Sequence, residues 1–155
     1  MRDETGYLTA SQIIQLGNIV TWLRNKKLQP YALTSSQSET IRFILKHDDE
    51  EITAGHVMEE LKLSQSTVAG ILKRLEAKGL ICRSTQPGDG RKSRIVPTPL
   101  GEQLREALIQ TGMETERQLL QGLTEQEQTQ FKATLDVVLH NMEQIRMRGE
   151  AQHGN

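Results

Sequence analysis

The stretch LSQSTVAGILKRLEAKGLICR, residues 63–83, reads as a helix with a sharp start, one apolar face and an abrupt stop, followed by a strand. Ser64 is placed to cap it, because its hydroxyl can accept from a free backbone N–H of the first turn. Val68, Ile71, Leu72 and Leu75 recur at helical spacing and point to a core. Gly79, after Lys78, supplies the left-handed residue that ends a helix. Residues 80–83 then alternate loosely as a strand. Just upstream, Thr53 is a plausible cap for a shorter helix that buries Val57 and Leu61, and Leu63 sits in the tight turn between the two helices. Downstream, residues 86–91, QPGDGR, carry turn chemistry. Arg94, Ile95 and Val96 read as the returning strand of a hairpin, and Pro97 bars a further ladder bond. Two short helices about a tight turn, then a basic hairpin, predict a winged helix-turn-helix.

That geometry accounts for the residue types. A recognition helix enters the major groove with its N-terminal turn leading, so small polar side chains are needed there. Ser64, Gln65, Ser66 and Thr67 supply them. The positive end of the helix favours a nearby phosphate. Lys73, further along the same helix, is a candidate phosphate contact. The hairpin tip from Asp89 through Arg94 is long and basic enough to reach an adjacent minor groove, whose narrow negative channel suits arginine. Lys92 and Arg94 are candidate phosphate contacts beside it. Arg74 is as well suited to an ion pair with a neighbouring carboxylate as to DNA.

Moving outward, Ile13, Leu16, Val20 and Leu23 mark an amphipathic helix over residues 9–28, with Thr9 and Gln12 as a possible capping box and Pro30 as its stop. A second box, Thr34 with Gln37, opens a helix bearing Ile41, Ile44 and Leu45 that ends in the acidic turn at residues 48–51. Beyond the hairpin, Thr98 followed by Pro99 opens one long helix whose apolar side carries Leu104, Leu108, Leu119 and Leu120. The box Thr124 to Glu127 opens the last helix. Its stripe of Phe131, Leu135, Val138, Met142 and Ile145 has heptad-like spacing suited to another helix. A disordered tail is expected from Gly149. The fold class is therefore mainly α with a small β-hairpin wing. Expected divisions are an N-terminal dimerisation helix (1–33), a DNA-binding winged helix (34–98), C-terminal dimerisation helices (99–148) and the tail (149–155).

Composition narrows the function. The chain has 155 residues and a net charge of −1, so bulk charge argues nothing about nucleic acid. Its distribution does: residues 52–98 carry eight basic residues against four acidic ones, within acidic flanks. No apolar run approaches the roughly 18 residues that cross a bilayer. The N-terminus carries no apolar signal core, so a cytoplasmic protein without membrane contact is expected. The one cysteine, Cys82, fits a reducing compartment and is expected to be a small core residue. His47, His56, His140 and His153 form no pair at helical spacing, so no metal is expected. No cofactor is expected, and no nucleophile elbow or phosphate loop points to an enzyme.

Residues 63–83, followed by DGRKSRIVPTPLG at residues 89–101, resemble the MarR family of bacterial regulators. The matching motifs are a recognition helix ending in Arg-Leu-Glu-x-Lys-Gly-Leu-Ile, Asp-x-Arg in the wing, and Thr-x-x-Gly at the next helix. The order of helices corresponds over nearly the whole chain. The resemblance implies a homodimer with intertwined first and last two helices, and a winged module from each subunit on half of a pseudo-palindrome in double-stranded DNA. It implies Asp89 shaping Arg91 for the minor groove. It also implies release of DNA when a small molecule, often phenolic, binds between the two parts, as in a ligand-responsive repressor. Trp22 and Tyr31 are candidates to line such a cleft, with core or dimer packing as their other reading. Two departures stand out. Many members have an arginine where this chain has Gly70, which shifts base readout toward Gln65, Ser66 and Thr67. The first helix also lacks the cysteine with which some members sense peroxides. A winged-helix protein-interaction module and a metal-sensing regulator are the alternative functions.

Overall fold

The computed structural model describes residues 8–85 and 93–153. In chain order the elements are α1 (Leu8–Leu28), a 3-10 turn (Gln29–Tyr31), α2 (Ser35–Lys46), α3 (Ala54–Leu61), α4 (Gln65–Ala77), β1 (Ile81–Thr85), β2 (Ser93–Pro97), α5 (Pro99–Gln103), α6 (Arg105–Leu119) and α7 (Glu125–His153). Two compact units divide the chain, Met1–Glu116 and Arg117–Asn155.

Capping sets most of the helix starts. Thr34 accepts from the Gln37 amide, while the Gln37 side chain receives the Thr34 N–H. Thr53 and His56 form the same reciprocal pair at α3. Thr98 caps α5, with Pro99 in the first turn. Thr9 does not cap α1; it lies inside a helix that is already formed at Leu8.

The core of the first unit is aliphatic. Leu28 and Leu33 at the α1–α2 junction pack with Ile41, Ile44 and Leu45 of α2, Val57 of α3, and Val68, Ile71, Leu72 and Leu75 of α4. Leu80, Ile81, Ile95 and Leu108 close it from the hairpin and α6. The strands pair antiparallel in the register Ile81 to Pro97, Cys82 to Val96, Arg83 to Ile95 and Ser84 to Arg94. Alternation turns Ile81 and Ile95 into the core, and the intervening Cys82 is therefore exposed rather than buried as the sequence suggested. The hairpin is also tied to the chain before α3, through Ile95 N–H to the Ile52 carbonyl at 2.7 Å.

The long helix expected after Thr98 is two helices. At Leu104 the N–H bonds the Gly101 carbonyl at 3.1 Å, three residues back rather than four, so one tight turn separates α5 from α6. Gly101 is required by contact: a Cβ there would fall 2.2 Å from the Leu80 carbonyl oxygen. The last helix runs through Gly149 to His153, beyond the end read from sequence, because one glycine costs an otherwise regular helix only about 1 kcal/mol.

Candidate nucleic-acid interface

The turn between α3 and α4 is built from Lys62, which adopts a left-handed backbone (φ 54°), then Leu63 and Ser64. Ser64 Oγ accepts from the Thr67 amide at 3.3 Å and donates to Thr67 Oγ1 at 2.8 Å. It also lies 3.3 Å from Ser66 Oγ. Three hydroxyls thus cluster at the start of α4, and Ser64, Gln65, Ser66 and Thr67 are all exposed. No acidic residue stands in the first turn of α4, so no carboxylate of that turn offsets the positive end of the helix. By contrast, α7 opens on Glu125 and Glu127.

Lys73 is exposed on the same helix. Arg74 is exposed and makes no ion pair among the described residues; the nearby carboxylate of Glu76, two residues on, pairs with Arg83 of β1 at 3.3 Å. That pair straps the hairpin to the recognition helix. Arg94, on the outer face of β2 opposite Ser84, is half-buried, and its Nε has no hydrogen-bond partner among the described residues. Asp89, Arg91 and Lys92 lie outside the described residues.

Neither candidate for a ligand cleft is buried. Trp22 is 59% exposed, with the Lys26 ammonium 5.0 Å above its ring, and Tyr31 is 37% exposed. A groove of about 540 Å³ bordered by Phe43, His47, Ile52 and His56 involves neither of them. Among the described residues no three His, Cys, Asp or Glu side chains gather as metal ligands.

A cluster that the sequence reading missed lies where α1, α2 and α6 meet within the first unit. Arg24 of α1 pairs with Glu39 of α2, and Arg42 Nη1 stands 3.7 Å from the same carboxylate. Arg42 also donates to the Leu108 carbonyl at 3.0 Å, while its Nε has no partner among the described residues. Gly112 leaves it room, since a Cβ there would meet Arg42 Nη1 at 3.0 Å. Burial lowers the pKa of both guanidinium groups, and at Arg24 the positive charge of Arg42 adds to it. Glu39 and Arg42 are neighbours on α2, but Arg24 lies 15 residues from Glu39 and Leu108 lies 66 from Arg42, so only the fold brings the cluster together.

Helix-turn-helix and strapped hairpin in this order define a winged-helix protein. The chain matches the model of the MarR family over residues 33–92. It is 27% identical over 115 residues to the HTH-type transcriptional regulator YsmB of Bacillus subtilis, covering 74% of this chain and 77% of that one. It is 31% identical over 80 residues to the HTH-type transcriptional repressor IacR of Pseudomonas putida, covering 52% of this chain but only 48% of the repressor. The solved complex of S. aureus MepR with DNA superposes with a TM-score of 0.82 at 27% identity, over 86% of this chain and 97% of that one.

Proposed function

We propose that the chain is a sequence-specific DNA-binding transcription regulator, a ligand-responsive repressor that reads a pseudo-palindromic operator as a homodimer. The observation that carries this reading is the start of α4. An exposed helix N-terminus, with no acidic residue in its first turn, is lined by small polar side chains and joined through Glu76 and Arg83 to a hairpin strapped to the same helix. Gln65, Ser66 and Thr67 are assigned to bases and nearby phosphates, Ser64 to the cap and a phosphate, and Lys73 and Arg94 to phosphates. Asp89, Arg91 and Lys92 are assigned to the wing contact. Dimerisation is assigned to residues 1–33 and 99–148.

The effector assigned to it is a small organic acid or phenolate. Arg24 and Arg42 place two half-buried positive charges against the single carboxylate of Glu39, a surplus that an anion would balance. Trp22, on the same helix as Arg24, and Tyr31 are retained as candidates to line that site.

A gel shift with the DNA upstream of the chain's own gene tests the reading. One retarded species is expected, weakening steeply with salt at a log–log slope of about −7 for roughly eight phosphate contacts. Absence of binding to any duplex at low salt would favour a protein-interaction module instead.

A further inference from the structure

The basic residues of the winged helix do not all face outward. Lys78, at the C-cap of α4, turns its ammonium toward the junction of α1 and α2, where it donates to the Ala32 carbonyl and, at 2.9 Å, to Gln37 Oε1. Both acceptors are themselves constrained. Ala32 has a left-handed backbone (φ 55°, ψ 35°), a region that residues other than glycine and asparagine rarely enter, and its N–H bonds the Gln29 carbonyl at 2.9 Å. Gln37 is 4% exposed, and its Oε1 also receives the Thr34 N–H at 3.3 Å. One ammonium therefore joins three features: the end of the recognition helix, the left-handed turn that closes α1, and the capping box that opens α2.

We propose that Lys78 is a positioning residue for DNA recognition and not a phosphate contact, referring the orientation of α4 to helix α1 through Ala32 and Gln37. The proposal rests on the DNA-binding reading above. Its physical content is that α4 is tied down at its C-terminal end. Its start is free to meet the groove, while its end is fixed to the turn next to α1. Charge-assisted hydrogen bonds are the stronger kind, and here one acceptor, the Ala32 carbonyl, belongs to a left-handed turn. Loosening the link should leave the electrostatic attraction to any duplex intact and should blur only the fit to the right one.

The test compares the full-length chain with Lys78→Met by fluorescence anisotropy, on the duplex retarded in the gel shift and on a random duplex of the same length, over a range of salt. Operator affinity is expected to fall by about tenfold, as befits loss of a charge-assisted hydrogen bond in each subunit. Affinity for the random duplex and the salt slope should stay as they were. Equal losses on both duplexes, with a slope shallower by about 1.8 for two lost phosphate contacts, would overturn the proposal. So would an unchanged operator affinity. A second measurement needs no DNA. Amide hydrogen exchange across residues 32–37 of the free protein should quicken in Lys78→Met, and unchanged exchange there would also overturn the proposal. Should the methionine variant fail to fold, Lys78→Gln carries the same readings. A wild-type chain that binds no duplex removes the functional reading and this proposal together, whatever the exchange shows.

Discussion

The winged helix and the helices that flank it solve the burial problem differently. In residues 33–97 the apolar side chains close on one another: Ile41, Ile44, Val57, Leu72 and Leu75 are all shut off from solvent. On α1, Ile13, Ile14, Leu16, Ile19 and Trp22 remain between 42% and 65% exposed. On α7, Val137, Leu139, Met142, Ile145 and Met147 remain between 52% and 61% exposed. A helix that is apolar on several sides belongs in an interior. The first region is complete within one chain, whereas the other two carry surface for which a second chain is the proposed cover. An obligate interface of that kind buries roughly 2,000 Å² or more.

The largest expected effect breaks this contrast from the α7 side. Leu135 and Val138 are 37% and 36% exposed, so aspartate at both positions keeps access to solvent in the isolated subunit. In an interface the same change buries two unpaired charges, which is far more costly. The double variant should run as a monomer by light scattering, retain its helical circular dichroism and lose DNA binding. A double variant that stays dimeric would place the subunit contact elsewhere.

A smaller pair of effects sharpens the contrast inside the closed region. Gly101→Ala puts a methyl 2.2 Å from the Leu80 carbonyl oxygen, so α5 or the chain leading into β1 must shift. Such overpacking costs about 1–3 kcal/mol. Gly70, on α4, has nothing within 4 Å of where a Cβ would stand. Gly70→Ala should therefore stabilise the chain by about 0.5–1 kcal/mol, through helix propensity alone. Chemical denaturation should show midpoints moving in opposite directions; a shared direction would mean that the Gly101 contact is not the reason for that glycine.

Those two glycines also show what sequence could convey. Gly101 was visible as part of a Thr-x-x-Gly motif, but its contact with Leu80 is a matter of tertiary approach. The caps at Thr34, Thr53, Ser64, Thr98 and Thr124 were legible because each is a local bond over three residues. The recognition helix was legible because one face alone carries its apolar residues. What local reading missed was set by alternation and by distance in sequence. Cys82 faces outward because Ile81 faces inward. The break at Leu104 is a matter of which carbonyl its N–H meets. The Arg24–Glu39 pair and the Lys78 link join residues 15 to 46 apart along the chain. Single-sequence patterns do not report such pairings.

The smallest effect separates two helix starts that look alike. In the box opening α2, the Thr34 N–H is received by the amide oxygen of Gln37, which does not titrate. In the box opening α7, the Thr124 N–H is received by the Glu127 carboxylate at 2.8 Å, and the Glu127 N–H by Thr124 Oγ1 at 3.2 Å. The backbone hydrogen bond from Thr124, followed by that from its side chain, holds the Glu127 carboxyl below its ordinary pKa. A carboxyl depressed in the folded state contributes stability that is fully present above its unfolded value. That contribution is lost as pH falls through the folded one. Acidification from about pH 6 to about pH 3 should therefore fray the first turn of α7 while leaving that of α2 in place. Amide exchange resolved by residue should show Glu127 and Gln128 losing protection ahead of Gln37 and Ser38, and Glu127→Gln should make the two starts respond alike. Equal loss at both starts in the wild-type chain would trace the acid response to global unfolding, and the carboxylate at the head of α7 would not be its cause.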